Sequence, residues 1–401
     1  MSRWWWCAVL VGLGGCKQQP SAEPSAPASV QRLPEEVRAP APTSSRLERQ
    51  QPLAVCRSEG LDALSAARGF YDREQFEDAL SCAAQASAFD PDDPLAHSER
   101  GAALAALNQL PGAQLAYARA LALNPDLPDA LLGAAYLYGV RMPSSRENDE
   151  LAVVYAERGF QQAEQNRDRE LSAEFALMSA MAFNDVGASR EALARAEGVL
   201  TRQPKSPEAA YERAVALFEL CRFAEAKQAF GAMLQLPDRS AHAHHHLGLL
   251  QEREGDWKGA EAHFAQARKL APDSFGVPPL LSEVAFRAEV QKAVATLPRD
   301  MRRDLQGVPV RAEELPSEAD LLSGDPPLSP AILGLYRGPP LGESCDGGEQ
   351  PCRSVAVYRR NLARAVRTRA ELIEQIRITL LHEVGHLRGE DDHELAARGL
   401  E

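Results

Sequence analysis

Small apolar residues recur through the middle of the chain at a spacing of 34 residues, and larger apolar residues follow at fixed distances. Small residues in the first half of each period are Ala67, Gly101, Ala135, Ala180, Ala214 and Gly248. Alanines in the second half are Ala79, Ala113, Ala192, Ala226 and Ala260, with Tyr117, Phe230 and Phe264 four residues after three of them. Prolines close four periods, at Pro91, Pro125, Pro204 and Pro272. The pattern predicts paired helices whose small residues permit close approach while the larger residues fill the gaps.

Six such units are predicted, beginning near residues 60, 94, 128, 173, 207 and 241. The third is longer, and its extra segment around 142–149 is expected to be a loop or a lengthened helix. The 34-residue period resembles that of tetratricopeptide repeats. This resemblance implies a helical solenoid that binds peptides or proteins, with a spacer that only positions the rest of the chain as the alternative.

A second apolar pattern, with helical spacing, lies near the end of the chain. Its members are Leu372, Ile373, Ile376, Leu380 and Val384. Thr368 precedes them, and Glu371 follows it by three residues, which is typical of a capping box. The sequence therefore predicts a helix over about 369–388.

The end of this helix carries the candidate chemistry. His382, Glu383 and His386 form HExxH, and Gly389 and Asp392 extend it to HExxHxxGxxD. Two histidines four residues apart lie on one helix face and can bind one metal ion. The glutamate beside the first histidine can activate a water molecule, and the glycine can end the helix in a left-handed turn. These residues predict a Zn²⁺ hydrolase site in which Glu383 is catalytic and His382, His386 and Asp392 are ligands.

The third ligand is the least determined of the set. Asp392 fits the spacing of the motif, and we favour it. His393 lies one residue beyond the position of a third histidine in the longer HExxHxxGxxH pattern, and Glu390 and Asp391 are close by.

From about residue 281 to the end, the chain resembles the small zincin-like metallopeptidases known as minimal gluzincins. Segment 289–298 is similar to their opening helix, 332–338 and 355–359 are similar to the two strands of a hairpin, and the capped helix with its motif follows. The resemblance implies a compact α+β zincin fold, bound zinc and peptidase chemistry. A loop at 343–352 with two cysteines departs from the family pattern.

The beginning of the chain predicts export and a cellular location. Arg3 precedes a short apolar stretch at 4–13, and Leu13-Gly14-Gly15-Cys16 is typical of a bacterial lipoprotein processing site. We expect cleavage before Cys16 and lipidation of Cys16, with an ordinary signal peptide as the alternative. Residues 16–55 are rich in Pro, Ala and Ser and are expected to be a disordered tether. Lys17 favours the periplasmic face of the outer membrane, by resemblance to lipoprotein sorting.

Composition adds two constraints. The formal net charge of −13 argues against nucleic acid as a partner, because affinity for phosphates needs positive charge. Export permits disulfides, so we expect Cys345 to pair with Cys352 and Cys56 to pair with Cys82. Cys221 then remains as a buried thiol.

A histidine cluster at 242–246 could bind metal through His242 and His246, but no carboxylate is arranged beside it. Histidines on the surface or in the repeat groove are the default interpretation.

Together these patterns predict a mostly α chain, with an α-solenoid of tetratricopeptide repeats followed by a small α+β zincin-like domain. The expected parts are a signal peptide (1–15), a tether (16–55), about six repeats (56–275) and a metallopeptidase domain (278–401). The first functional hypothesis is a lipid-anchored zinc metallopeptidase of the bacterial cell envelope, whose repeats recruit a substrate or partner protein. The alternative is a non-catalytic repeat scaffold of the envelope with a vestigial peptidase domain.

Overall fold

The computed structural model describes residue 56, residues 62–345 and residues 352–400. The predicted signal peptide, Cys16 and the predicted tether lie outside these residues. In the described part of the chain helices dominate, and a three-stranded sheet lies near the C-terminal end. The predicted fold class is confirmed.

The first of two compact units ends at Asn166 and holds three helix pairs. Its helices are α1 (Ala63–Asp72), α2 (Phe76–Phe89), α3 (Pro94–Ala106), α4 (Leu110–Leu123), α5 (Pro128–Tyr136) and α6 (Arg146–Gln165). The longer third repeat contains a π-helical turn at Leu137–Arg141, a short loop and the 20-residue α6. Its extra residues therefore form both a loop and a lengthened helix.

The second unit begins at Arg167 and contains three more helix pairs. Their helices are α7 (Arg169–Asp185), α8 (Ser189–Arg202), α9 (Pro207–Glu219), α10 (Phe223–Met233), α11 (Pro237–Arg253) and α12 (Trp257–Leu270). The same unit includes the rest of the described chain, so repeats four to six are compact with the C-terminal domain. The predicted limits of the array and of the domain stay predictions.

Local sequence explains where the repeat helices begin. Pro94, Pro128 and Pro207 stand at first helical positions, where no N–H is needed for the helix. Asp62 and Ser206 cap other orphan N–H groups with side-chain oxygens.

The small residues of the period are needed for close helix packing. A Cβ on Gly101 would lie 2.9 Å from the ring of Tyr117, and one on Gly248 would lie 2.6 Å from the ring of Phe264. The alanines at the corresponding second-helix positions are buried. The small and large residues therefore meet as the pattern predicted.

The C-terminal domain surrounds its sheet with helices. Its elements are α13 (Glu283–Thr296), α14 (Arg299–Asp304), β1 (Val310–Glu313), α15 (Glu318–Leu321), β2 (Gly334–Arg337), β3 (Ser354–Tyr358), α16 (Arg359–Arg364), α17 (Arg369–Leu387) and α18 (Asp392–Ala396). The strand order is β1-β3-β2. β2 pairs antiparallel with β3, which confirms the predicted hairpin, whereas the parallel strand β1 was not predicted.

The domain core lies between the sheet and α17. Buried apolar residues of α17, among them Leu372, Ile376 and Leu380, pack with Val355 and Val357 of β3. This packing holds α17 against the sheet along its length. Of the helices described, none has both the length and the apolar character that crossing a membrane requires.

Candidate metal centre

α17 begins and ends as its sequence predicts. The Thr368 hydroxyl accepts from the Glu371 N–H, and the Glu371 carboxylate accepts from the Thr368 N–H, so the capping box is complete. At the other end, Gly389 has a φ of 89°, in the left-handed region that favours glycine. His382 and His386 therefore occupy the last two turns of a helix anchored at its start.

A short second helix brings the aspartate back to the histidines. Asp391 caps α18 by accepting from the Glu394 N–H at 2.9 Å, and Asp392 is the first helical residue. α18 packs close to α17 because residue 385 has no side chain. A Cβ on Gly385 would lie 2.2 Å from Leu395 Cδ2.

The three predicted ligand atoms form a compact triangle. His382 Nε2 and His386 Nε2 are 3.0 Å apart. Asp392 Oδ1 lies 3.5 Å from His382 Nε2 and 3.2 Å from His386 Nε2. Ligand atoms at the usual bond length from a tetrahedral zinc are about 3.3 Å apart. The triangle therefore fits zinc, with a fourth direction left for water or substrate.

The outer nitrogens of the two rings fix the orientation of the inner ones. His382 Nδ1 lies 2.6 Å from the carbonyl oxygen of Leu400, and His386 Nδ1 lies 3.0 Å from that of Glu390. Since a carbonyl only accepts, each Nδ1 donates its proton there, and each Nε2 is the ring nitrogen turned toward the triangle. Histidines that bind a metal usually donate their other ring N–H in this way.

Glu383 lies beside this triangle in an apolar environment. Its side chain is only 6% exposed. Burial raises the pKa of Glu383 to about 8, and the negative charge of Asp392 contributes in the same direction. A hydrogen bond from the backbone N–H of Tyr336 opposes this rise in pKa. A divalent cation beside Glu383 would favour the carboxylate, as a proton acceptor requires.

The space for Glu383 is provided by a glycine of β2. A Cβ on Gly334 would lie 2.7 Å from Glu383 Oε1 and 2.7 Å from Thr379 Cγ2. The sequence interpretation did not include Gly334 or the Tyr336 N–H. A lone glycine inside a strand pattern is the signal that could have identified this close approach.

The other residues considered for the third ligand have different roles or positions. Asp391 caps α18, and the Glu390 carboxylate forms an ion pair with Arg398. Among the described residues, the metal-binding cluster with three ligand atoms within reach of one another is His382, His386 and Asp392.

The hydroxyl groups of two tyrosines on the strands contact other groups of the domain. The Tyr358 hydroxyl belongs to a fully buried side chain next to Arg337, and the Tyr336 hydroxyl donates to the Pro339 carbonyl. β3 is the central strand, so both of its edges are paired within the sheet. β2 is an outer strand beside α17.

The predicted cysteine pairs are disulfides in the structure, with Cys56 joined to Cys82 and Cys345 joined to Cys352. Cys221 is free and half-buried. Two histidines of the cluster are half-buried and pack on aromatic rings. His246 stacks on Phe230 and His245 stacks on Phe275, and burial lowers the pKa of His246 to about 4.

Two family models match different parts of the chain. The model of the zincin-like metallopeptidase family matches residues 305–400. The tetratricopeptide repeat model matches residues 64–128, 177–236 and 219–275. The gap between these repeat matches covers most of the longer third unit. The comparison with curated proteins gives no match.

Three solved structures similar to this chain each align with 52% of it. One, from a functional characterisation of Pseudomonas aeruginosa pilF, has 18% identity and a TM-score of 0.43, over 52% of this chain and 90% of that chain. PilW, a type IV pilus biogenesis factor, has 19% identity and a TM-score of 0.43, over 52% and 92%. A tetratricopeptide repeat protein from Parabacteroides merdae has 16% identity and a TM-score of 0.38, over 52% and 77%. At these scores the likeness carries no further argument.

Proposed function

We propose that this chain, in which tetratricopeptide repeats precede a zincin-like metallopeptidase domain, is a zinc-dependent peptidase that hydrolyses peptide bonds. The observation that carries the proposal is the triangle of His382, His386 and Asp392 with the buried Glu383 beside it. Two neutral imidazoles and one carboxylate are the donor set of a catalytic zinc with an open position.

Zinc and Glu383 have different roles in the proposed reaction. Zinc in this site supplies Lewis acidity toward a peptide carbonyl and lowers the pKa of a water molecule. Glu383 accepts the proton of the attacking water and delivers it to the leaving amine nitrogen as the C–N bond breaks. The buried position of Glu383 excludes bulk water from that carboxylate and keeps the transferred proton in the site.

Strand β2 borders the reacting groups from the other side. The N–H of Tyr336 points to the Glu383 carboxylate, so the backbone of β2 runs past the general base. An extended peptide laid along this strand has its backbone within reach of Glu383.

We also propose a class of partner and a cellular location for this chain. Tetratricopeptide repeats are generally protein-interaction modules, and we expect these repeats to recruit a substrate or a partner protein. The processing site before Cys16 supports a lipid anchor, and with it a place in the bacterial cell envelope, on the periplasmic face of the outer membrane.

A matched pair of variants in α17 tests the catalytic role. Glu383→Gln keeps the shape of the side chain but cannot accept the proton, so cleavage of labelled casein and of a peptide library should fall by about 10²–10⁴-fold with zinc retained. Glu374→Gln is the control, because Glu374 is exposed and pairs only with Arg377 among its described contacts. Equal cleavage by wild type and Glu383→Gln would refute the mechanism. Zinc-loaded wild type that cleaves nothing would favour the scaffold alternative.

A further inference from the structure

The sixth repeat and the C-terminal domain share a buried ionic cluster within the second unit. Glu252, in the last turn of α11, is only 3% exposed. Its carboxylate accepts a hydrogen bond from Arg360 Nη1 at 2.6 Å and another from Arg364 Nη2. Both arginines belong to α16, so one repeat glutamate binds two positions of a short helix in the other domain.

Other groups of the second unit complete the surroundings of the two arginines. The guanidinium carbon of Arg360 lies 4.2 Å from the ring centroid of Trp257, and that of Arg364 lies 5.3 Å from that of Phe264. Arg360 Nε also donates to Glu314 at 3.0 Å. Buried charges are tolerated only when they are paired. Neutralising Glu252 would therefore remove the carboxylate partner of Arg364.

Asn361, which lies between the two arginines in the sequence of α16, connects α16 to the segment before β2. The Asn361 side chain is buried, and its Nδ2 donates to the carbonyl oxygens of Pro330 at 2.9 Å and Ile332 at 2.8 Å. These carbonyls belong to the segment that leads directly into β2. The position of α16 therefore fixes where β2 begins.

β2 in turn lies against the proposed general base. Gly334, its first residue, approaches the Glu383 side chain so closely that no Cβ fits between them. The backbone N–H of Tyr336 is also close enough to the Glu383 carboxylate to lower the pKa of that group. A displacement of β2 would move both groups relative to Glu383.

We infer that Glu252 of the sixth repeat is a positioning residue for the peptidase site, acting through α16 and Asn361 on strand β2. The inference rests on the proposed function, because it names the residue that holds the geometry of that site. It also gives the last repeat an intramolecular role, as part of the framework of the peptidase.

The first test compares two glutamates two residues apart. In Glu252→Gln, amide hydrogen exchange at residues 334–337 should be at least tenfold faster than in wild type, and casein cleavage should fall at least tenfold. Glu254→Gln is the control, because Glu254 forms an exposed ion pair with Lys227. This substitution should leave the exchange at 334–337 and casein cleavage unchanged. Glu252→Asp, which keeps the charge, should restore part of the protection.

The exchange readout separates this inference from the proposed function. If wild type cleaves nothing, faster exchange at 334–337 in Glu252→Gln still supports the connection from Glu252 through α16 and Asn361 to β2. Unchanged exchange at 334–337 in folded Glu252→Gln overturns it, whatever the activity.

A measurement on the wild-type protein covers the case in which Glu252→Gln does not fold. Native-state exchange at increasing urea should show the end of α11 (residues 247–253) and β2 opening together as one cooperative unit. Opening of β2 at a free energy well below that of α11, with a different urea dependence, would contradict the connection between Glu252 and β2.

Discussion

At the scale of single residues, the site depends as much on a missing side chain as on the ones present. Gly334 leaves the volume that Glu383 and Thr379 occupy, since a Cβ there would lie 2.7 Å from atoms of each. Thr379 and Glu383 are both buried, so neither side chain can move away freely. The position of the Glu383 carboxylate is therefore set from the strand as well as from its own helix.

Gly334→Ala should consequently reduce catalysis more than stability. Displacing a catalytic group by about 1 Å lowers the rate by about 10²-fold, and the zinc ligands are on other elements, so zinc should remain bound. Gly198→Ala is the matched control, because a Cβ on Gly198 meets nothing within 4 Å. It should stabilise α8 by about 0.5–1 kcal/mol and leave activity unchanged. The two variants are compared by cleavage rate, zinc content and thermal unfolding, and unchanged cleavage in a zinc-loaded, folded Gly334→Ala would contradict this role of the glycine.

At the scale of elements, α18 matters because it brings Asp392, the proposed third ligand, close to His382 and His386 of α17. Its approach to α17 depends on Gly385, which contacts the buried Leu395. Its orientation depends on the cap at Asp391 and on the left-handed turn at Gly389. The motif therefore includes packing and turn residues besides its ligands.

Gly385→Ala should move α18 outward and weaken zinc binding. Changes in the surroundings of metal ligands typically lower affinity by about 10–100-fold, and we expect a loss of that order in a chelator competition. Adding Leu395→Ala to Gly385→Ala should recover part of the affinity, because the clash involves the Leu395 side chain. Zinc affinity in Gly385→Ala equal to that of wild type would show that α18 does not need this close approach.

Sequence predicted the elements whose signals are local. α17 was predictable because its apolar spacing, its capping box and its terminal glycine all lie within the helix or within two residues of its ends. β1 was missed because four residues of strand carry little periodicity, and its partner β3 lies more than forty residues later. The proximity of His382, His386 and Asp392 was predictable from spacing, whereas the contacts of Gly334 and Glu252 arise only when distant elements pack together.

At the scale of the whole molecule, the boundary between compact units does not coincide with the boundary between the repeats and the zincin-like domain. Repeats four to six belong to the same unit as the C-terminal domain, and the first three repeats form the other. The buried ionic cluster at Glu252 and a hydrogen bond from Arg253 Nη2 to the Pro316 carbonyl are among the contacts within the second unit. We therefore expect the first three repeats to be the part freer to bind another protein.

Two fragments test this division. Residues 167–401 should unfold in one cooperative transition, because they contain a complete compact unit. Residues 276–401 alone should unfold about 10 °C lower, because Arg360 and Arg364 lose Glu252 and the apolar surface against the repeats becomes exposed. Calorimetry of both fragments gives the two transition temperatures. Equal temperatures would mean that the repeats do not stabilise the C-terminal domain.

The first measurement to make is the zinc content of the purified protein beside three variants. Wild type and Glu383→Gln should each hold close to one zinc per chain, and His386→Ala should lose it. His242→Ala should keep it, because His242 belongs to the other pair of histidines four residues apart and has no place in the triangle. Zinc retained by folded His386→Ala, or absent from wild type after incubation with the metal, would contradict the proposed metal centre.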